Sequence, residues 1–320
     1  MNWVAARVAI LPCPPLGDNT LYLRLAWRFH QAGAQVTLYS STLYPARQHI
    51  PHLQLEPAPD LNFDKFSQSY DLVISDLFWL LQAQHRGGEV PQAANIAFTS
   101  AKKLPRHFSL GKREVIVNGQ SLGFAHQAMR KANGSGEHMV YWIDHYAAHV
   151  FNLDCKVETP QLINFAPRDA DAARRIALFP TTPSEAKNYH LAGFRRLADR
   201  LHRQGWLVEF VCTPGERGAL QDRLPGYAVL AFADIAELMC YLAGCAVVIS
   251  NDSGGGHLGS LLGLRTFTVT RRDPLFNWRP GFNAHNQVIS PLFTFKWFGR
   301  VVWRPFVPVS RIATRLGAAP

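Results

Sequence analysis

The sequence predicts an α/β protein of two successive doubly wound units, each a parallel sheet covered by helices, with the two sheets facing across a cleft. Three observations predict it. Short β-branched runs alternate with amphipathic segments along the chain. The alternation pauses near residue 165 in a polar, Ala-rich stretch and then restarts with the same grammar. The chain has 320 residues, 48% of them hydrophobic, which is enough to fill more than one core.

Taken in order, Arg7–Leu11 (RVAIL) reads as a strand. Asn19–Gln31 reads as a helix with Leu21, Leu25, Ala26 and Phe29 on one face, closed by Gly33. Gln35–Tyr39 and Tyr70–Ser75 are further strands, and an apolar helix is expected over Leu77–Gln84. Ala94–Phe98 and Glu114–Val117 read as strands, Val140–Phe151 as a helix. Asn164–Arg174 (NFAPRDADAAR) reads as the linker, giving expected domains 1–165 and 166–295 and a tail, 296–320, expected to pack back on the first domain. After the linker come strands at Arg175–Phe179, Trp206–Cys212, Ala246–Ser250 and Thr266–Thr270. They alternate with helices at Tyr189–Gln204, Ile235–Leu242 and Gly256–Leu262.

Composition narrows the function. Aromatic residues make up 12% and charged residues 18%, as in a folded protein. Net charge is +10, which favours polyanions: nucleic acid, an anionic membrane or a phosphorylated substrate. The five cysteines are scattered and form no CxxC, so they are expected to be reduced core thiols rather than disulfides or zinc ligands. The apolar run at Val8–Leu11 is of strand length and closed by Pro12, so a strand is expected there and not a leader. No stretch approaches the roughly 18 apolar residues of a membrane span, so the protein is expected to be soluble or peripheral.

Ligands of open parallel sheets bind beyond the carboxyl ends of the strands, so residues just after strands carry the candidate chemistry. Gly17-Asp18 follows the first strand. Asp18 there reads as a helix N-cap, with a carboxylate able to take a proton from a hydroxyl as the functional alternative. The run Asp252-Ser253-Gly254-Gly255-Gly256-His257 follows a hydrophobic strand and opens a helix. Glycines let backbone N–H groups approach an anion, and the helix start adds positive potential, so this reads as a diphosphate cradle. It is neither a P-loop nor a GxGxxG fingerprint. Thr181 and Thr182 follow the first strand of the second unit, with Lys187 just ahead of a helix and within reach of a phosphate. Glu216, after WLVEFVC, is either a ribose ligand or an ordinary loop carboxylate.

Together these segments resemble glycosyltransferase family 9, the lipopolysaccharide heptosyltransferases. The match rests on Gly17-Asp18, Lys187 and Asp252-Ser253-Gly254-Gly255-Gly256-His257-Leu258, and covers most of residues 7–275. It is strong in the second domain and weak between about 40 and 165. The resemblance implies the GT-B plan of two Rossmann-like domains and an inverting, metal-independent sugar transfer to a lipopolysaccharide core or related glycan. It implies Asp18 as catalytic base and Lys187 at the donor diphosphate. Gly17, Thr181, Thr182 and Asp252 through His257 would bind the donor sugar and phosphates, and Glu216 the nucleoside. ADP-heptose is the kind of donor implied. It is a substrate, and no separate cofactor is expected. The sequence departs from the family at Pro12-Cys13-Pro14-Pro15, at Tyr189 and at Arg271-Arg272-Asp273-Pro274.

Two basic features remain. Lys102, Lys103, Arg106, Lys112 and Arg113 form a cationic cluster suited to an anionic glycolipid acceptor, with Lys102, Lys103, Arg106 and Arg113 the chosen acceptor contacts. Pro291–Pro308 interleaves aromatics with Lys296, Arg300 and Arg304. Packing onto the fold is the first reading of that stretch, and contact with a membrane interface the second. A cytoplasmic enzyme is expected, with contact at the inner face of the inner membrane as the second reading, and no nucleic-acid partner. The rivals are a nucleotide-sugar epimerase of the same fold and a non-catalytic binding or scaffold protein.

Overall fold

The computed structural model describes residues 1–101, 110, 113–130, 135–156, 163 and 172–320. The expected acceptor contacts Lys102, Lys103 and Arg106, together with Lys112 and linker residues 164–171, lie outside the described residues. The chain divides into two compact units, one of Met1–Ser135 and Met139–Asn164, the other of Gly136–His138 and Phe165–Pro320.

The first unit runs β1 (Arg7–Leu11), α1 (Leu16–Gln31), β2 (Gln35–Tyr39), β3 (Gln54–Glu56), α2 (Phe63–Ser67), β4 (Leu72–Asp76), α3 (Leu77–His85) and β5 (Ile96–Ser100). It continues with β6 (Glu114–Val117), β7 (Gln120–Phe124), β8 (His126–Ala128) and α4 (Met139–Phe151), the last starting at the edge of the segment 136–138 that joins the other unit. The sheet order is β3-β2-β1-β4-β5-β8 and the described ladders within it are parallel. Val8, Ala9, Ile10 and Leu11 have no exposed surface, as a strand buried on both faces requires. Glu114–Val117 is a strand, but it leaves the parallel sheet and pairs antiparallel with β7. The cause is Asn118-Gly119, both at positive φ (51° and 75°), which form the tight hairpin turn that Asn-Gly favours.

The second unit runs β9 (Arg175–Phe179), α5 (Leu191–Arg203), β10 (Leu207–Cys212), α6 (Arg217–Arg223), β11 (Val229–Ala231), α7 (Ile235–Ala243), β12 (Val247–Asn251), α8 (Gly254–Leu261) and β13 (Arg265–Val269). β14 (Asn286–Ile289), the hairpin β15 (Phe295–Trp297) and β16 (Arg300–Val302), and α9 (Ser310–Leu316) complete it. Its order, β11-β10-β9-β12-β13-β14, repeats that of the first unit. α5 shows why such helices form where they do: Phe194, Leu197, Ala198 and Leu201 recur at helical spacing and are buried, while Arg195, Arg196 and Arg203 face out.

The expected packing of the tail on the first domain is corrected. Ile312 and Ala313 of α9 and Trp303 lie in one core with Phe194, Leu201 and Trp206 of the second unit. The Trp206 indole donates to the Gly317 carbonyl (2.9 Å), and the Ala319 amide to Gln204 (2.8 Å). Burying side chains the size of Ile312 is worth about 1.5–3 kcal/mol each, which holds the tail to its own unit. None of the five cysteines is in a disulfide; Cys245 is buried as expected, but Cys240 is exposed. No helix among the described residues is long and apolar enough to cross a membrane.

Candidate active site

In a doubly wound sheet the chain turns back at one pair of strands, and their carboxyl ends splay to leave a crevice. In the second unit that pair is β9 and β12, hydrogen-bonded from Val247↔Ile176 to Ser250↔Phe179. The loops leaving them carry Lys187 and Asp252. The Lys187 ammonium lies 3.1 Å from the Asp252 carboxylate, and the Arg272 guanidinium, on the loop after β13, lies 3.6 Å from the same oxygen. Asp252 is 9% exposed, so one nearly buried carboxylate holds two cations at the start of α8. The cluster carries a net charge of +1.

Asp252, expected among the donor-binding residues, anchors Lys187 and Arg272. A carboxylate repels a phosphate, whereas the cations it positions attract one. Ser253 stands in extended conformation as N-cap of α8 without making a capping bond, and its buried hydroxyl has no partner among the described residues. The first amides of a helix lack intrahelical partners. The orphan Ser253 hydroxyl and the backbone amides of Gly254, Gly255 and Gly256 suit an anion's oxygens.

The glycines also have a packing reason that the sequence reading undervalued. A Cβ on Gly255 would lie 2.9 Å from the Phe179 ring, and one on Gly256 would lie 2.6 Å from Ser250 Oγ. Gly259 meets Val248 in the same way, at 2.6 Å. The run thus lets α8 sit directly on β9 and β12.

His257, expected among the donor-binding residues, follows the glycines on α8. It is 4% exposed, and burial pushes its pKa down to about 4, against the raising effects of Asp252 and of a bond to the Trp278 backbone. It is neutral near pH 7 and brings no charge to a phosphate. Its Nδ1 has no partner among the described residues.

The loop after β9 is held from within. The Thr182 hydroxyl reaches the Ser184 carbonyl (2.9 Å) and Asn188 Oδ1 (2.7 Å), and the Lys187 amide donates to the Ser184 carbonyl (2.9 Å). Thr182 thus shapes the turn that presents Lys187. Asn251, fully buried at the end of β12, donates to the Pro180 carbonyl (2.7 Å) and accepts from the Tyr189 amide (2.9 Å). It clamps the β9 loop to β12, and sequence reading missed it. The polar Asn ending an apolar strand just before Asp252 was the available signal.

Just after the neighbouring strand β10, Glu216 closes a capping box. Its carboxylate accepts from the Thr213 amide (3.1 Å) and hydroxyl (2.6 Å), and from Thr181. Burial opposes ionisation, but these bonds outweigh it and hold the carboxyl below its usual range. Thr181 and Glu216 are therefore one hydrogen-bonded pair, flanking the Lys187 loop on the side away from Asp252.

In the first unit the turning point lies between β1 and β4. α1 begins at Leu16 with Pro15 as its cap, so Asp18 is not the N-cap; it stands in the first turn, half-buried, where the helix start favours a negative charge. Gly17 precedes it, its carbonyl accepting from the Thr20 hydroxyl (2.7 Å). One turn on, Tyr22 is buried and donates to Asp76 Oδ2 (2.7 Å) at the end of β4. Burial first, then Asp76 and more weakly Asp18, holds the Tyr22 phenol neutral.

The organiser of this end is Asn19, which sequence reading passed over. Its amide donates to the carbonyls of Cys13, Pro14 and Pro15 (2.9, 2.9 and 3.0 Å), and its oxygen accepts from Ser40. It fixes the proline-rich turn whose cyclic residues cannot supply N–H groups of their own. Arg113, expected as an acceptor contact, turns inward instead. It is half-buried, donates to the Pro91 carbonyl, and burial lowers its pKa, although Asp64 offsets this in part.

Among solved structures, the chain is similar to a family 9 glycosyl transferase from Veillonella parvula DSM 2008. Identity is 15% and the TM-score 0.64, over 91% of this chain and 87% of that one. It is similar to the E. coli heptosyltransferase WaaC bound to ADP-2-deoxy-2-fluoro heptose, with 15% identity, TM-score 0.61 and 97% and 98% covered. E. coli ADP-heptose lps heptosyltransferase II follows at 13% and 0.56, with 97% of each chain covered. No curated protein sequence matches the chain.

Two Rossmann-like units, each with polar groups gathered at its turning point, give the chain the GT-B plan. The family model for glycosyltransferase family 9 (heptosyltransferase) matches residues 97–291, and the chain belongs to that family.

Proposed function

We propose that the protein transfers a sugar, with inversion, from a nucleotide diphosphate donor to a lipopolysaccharide core or related glycan, without a metal. An ADP-heptose is the donor that fits best, since matched E. coli structures carry ADP or an ADP-heptose analogue. The observation that carries the reading is the pair of cations, Lys187 and Arg272, gathered on Asp252 at the start of α8.

In this reading the pyrophosphate lies against Lys187 and the α8 amides, and Thr181 and Glu216 hold the nucleoside end. Asp18 takes the proton of the acceptor hydroxyl as its oxygen attacks the anomeric carbon. The bond to the diphosphate oxygen breaks on the opposite face, and the electrons leave with the diphosphate. Charge gathering on that leaving group is what Lys187 and the helix start stabilise, so these groups act more strongly in the transition state than on bound donor. Two side-chain cations do here what a divalent ion does in metal-dependent transferases. The acceptor would be anionic, and the enzyme would work at the inner face of the inner membrane.

Thermal-shift measurements with ADP, UDP and GDP and their sugars test the reading. Binding at 100 times the dissociation constant adds about 2.7 kcal/mol of stability, and ADP-linked ligands are expected to give the largest shift. No shift with any nucleotide, or transfer that is lost with chelator and regained with magnesium, overturns it.

A further inference from the structure

The hairpin of β15 and β16 serves neither the core nor the candidate site. Its register pairs Phe295 with Val302 and Trp297 with Arg300, and Phe298-Gly299 make the turn. Phe298 is 90% exposed and Trp297 62% exposed, and their rings meet edge to face at 5.2 Å. Phe298 sits at φ 44°, a left-handed conformation that a bulky side chain adopts only at a cost. Folding alone favours a small polar residue there. Behind the tip, Leu292, Phe293 and Phe295 are also exposed, so the tip is not a single stray ring.

The base of the hairpin is held firmly. Trp303 is 1% exposed within the core, and the Leu292 amide donates to the Phe306 carbonyl at 3.0 Å. Arg304 donates to the carbonyls of Asn188 (2.6 Å) and Glu185 (2.8 Å), on the turn that carries Lys187. The aromatic tip is thus presented on a rigid mount, which lowers the ordering cost of binding.

We propose that this hairpin is a docking surface for an anionic lipid bilayer, its tip seated among the headgroups and its cations against lipid phosphates. Charge chooses this occupant. Residues 274–320 contain six Lys and Arg and no Asp or Glu, with Lys296 and Arg300 on the hairpin itself. Rings with a flat apolar face beside basic side chains match the chemistry of a membrane interface. A second copy of the chain would bring the same positive charge to the contact, and at a net charge of +10 the copies repel.

The test is flotation of the full chain with vesicles of phosphatidylethanolamine and phosphatidylglycerol, against vesicles of phosphatidylcholine alone. Its readout involves neither nucleotide nor sugar, so it stands or falls apart from the transferase reading. Wild type is expected to float with the anionic vesicles only, and less in high salt. The double variant Trp297→Ser, Phe298→Ser should lose about tenfold or more of the binding. Lys296→Gln and Arg300→Gln should each lose roughly fivefold, the worth of one charge near such a surface. An unchanged melting temperature in Phe298→Ser alone controls for folding. Equal binding to neutral vesicles, no binding by wild type, or wild-type binding by the double variant overturns the proposal. So does a concentration-dependent dimer that Phe298→Ser dissolves, which would make the occupant a second copy.

Discussion

The two units share one strand order yet place opposite chemistry at the turning point. Between β1 and β4 the first gathers carboxylates, Asp18 and Asp76, around the buried Tyr22. Between β9 and β12 the second gathers two cations on one carboxylate, at the start of a glycine-rich helix. The strand order sets where a crevice opens, and the loop residues decide what it holds. A carboxylate end suits taking a proton, and a cationic end suits holding a phosphate. Duplicating one plan thus separates two incompatible electrostatic tasks.

That contrast is sharpest at Asp18. Asp18→Asn keeps the shape and removes the base, so transfer should fall by about 10² to 10⁴ while nucleotide binding in a thermal-shift assay stays as in wild type. Equal loss of both would tie Asp18 to the donor and erase the division of labour.

The next effect concerns His257. Its folded pKa of about 4 lies below the ordinary 6.5, so between those values the unfolded chain binds more protons. Stability is therefore fully present above pH 6.5 and is lost as pH falls toward 4, by roughly 3 kcal/mol. His257→Asn should flatten the slope of denaturation free energy across that window. An unchanged slope would mean that the imidazole is not shielded as its burial implies.

The smallest effect distinguishes the two cations. Lys187→Ala should weaken binding of the diphosphate by about 1.5–3 kcal/mol, as for a lost charged hydrogen bond, while Arg272→Ala, farther from Asp252 and more exposed, should cost less. Isothermal titration of ADP into each variant ranks them, and a reversed order would move the phosphate toward β13.

Much of the site could be read before any fold was known. Gly17, Asp18, Lys187 and Asp252 through His257 stand just after apolar strands, and that position is local information. Their functions were less legible. The hold of Asp252 on Lys187 and Arg272 could not be read, because these partners are far from it in sequence and meet it only through the adjacency of β9, β12 and β13. Asn19 and Asn251 went unnoticed because a buried amide matters through carbonyls that sequence does not locate. Tail residues Trp303 and Ile312 carried no sign of which unit they would cover.

The sequence by itself determined the alternation of strands and helices, the restart that makes two units, and the glycines and charges that follow the strands. All of these depend on short-range periodicity and on the conformational limits of single residues. Tertiary structure alone decided that α9 joins the second core and that Lys187 and Arg272 converge on Asp252. Those outcomes depend on which distant segments become neighbours, and burial and charge pairing settle that only when the whole unit closes around them.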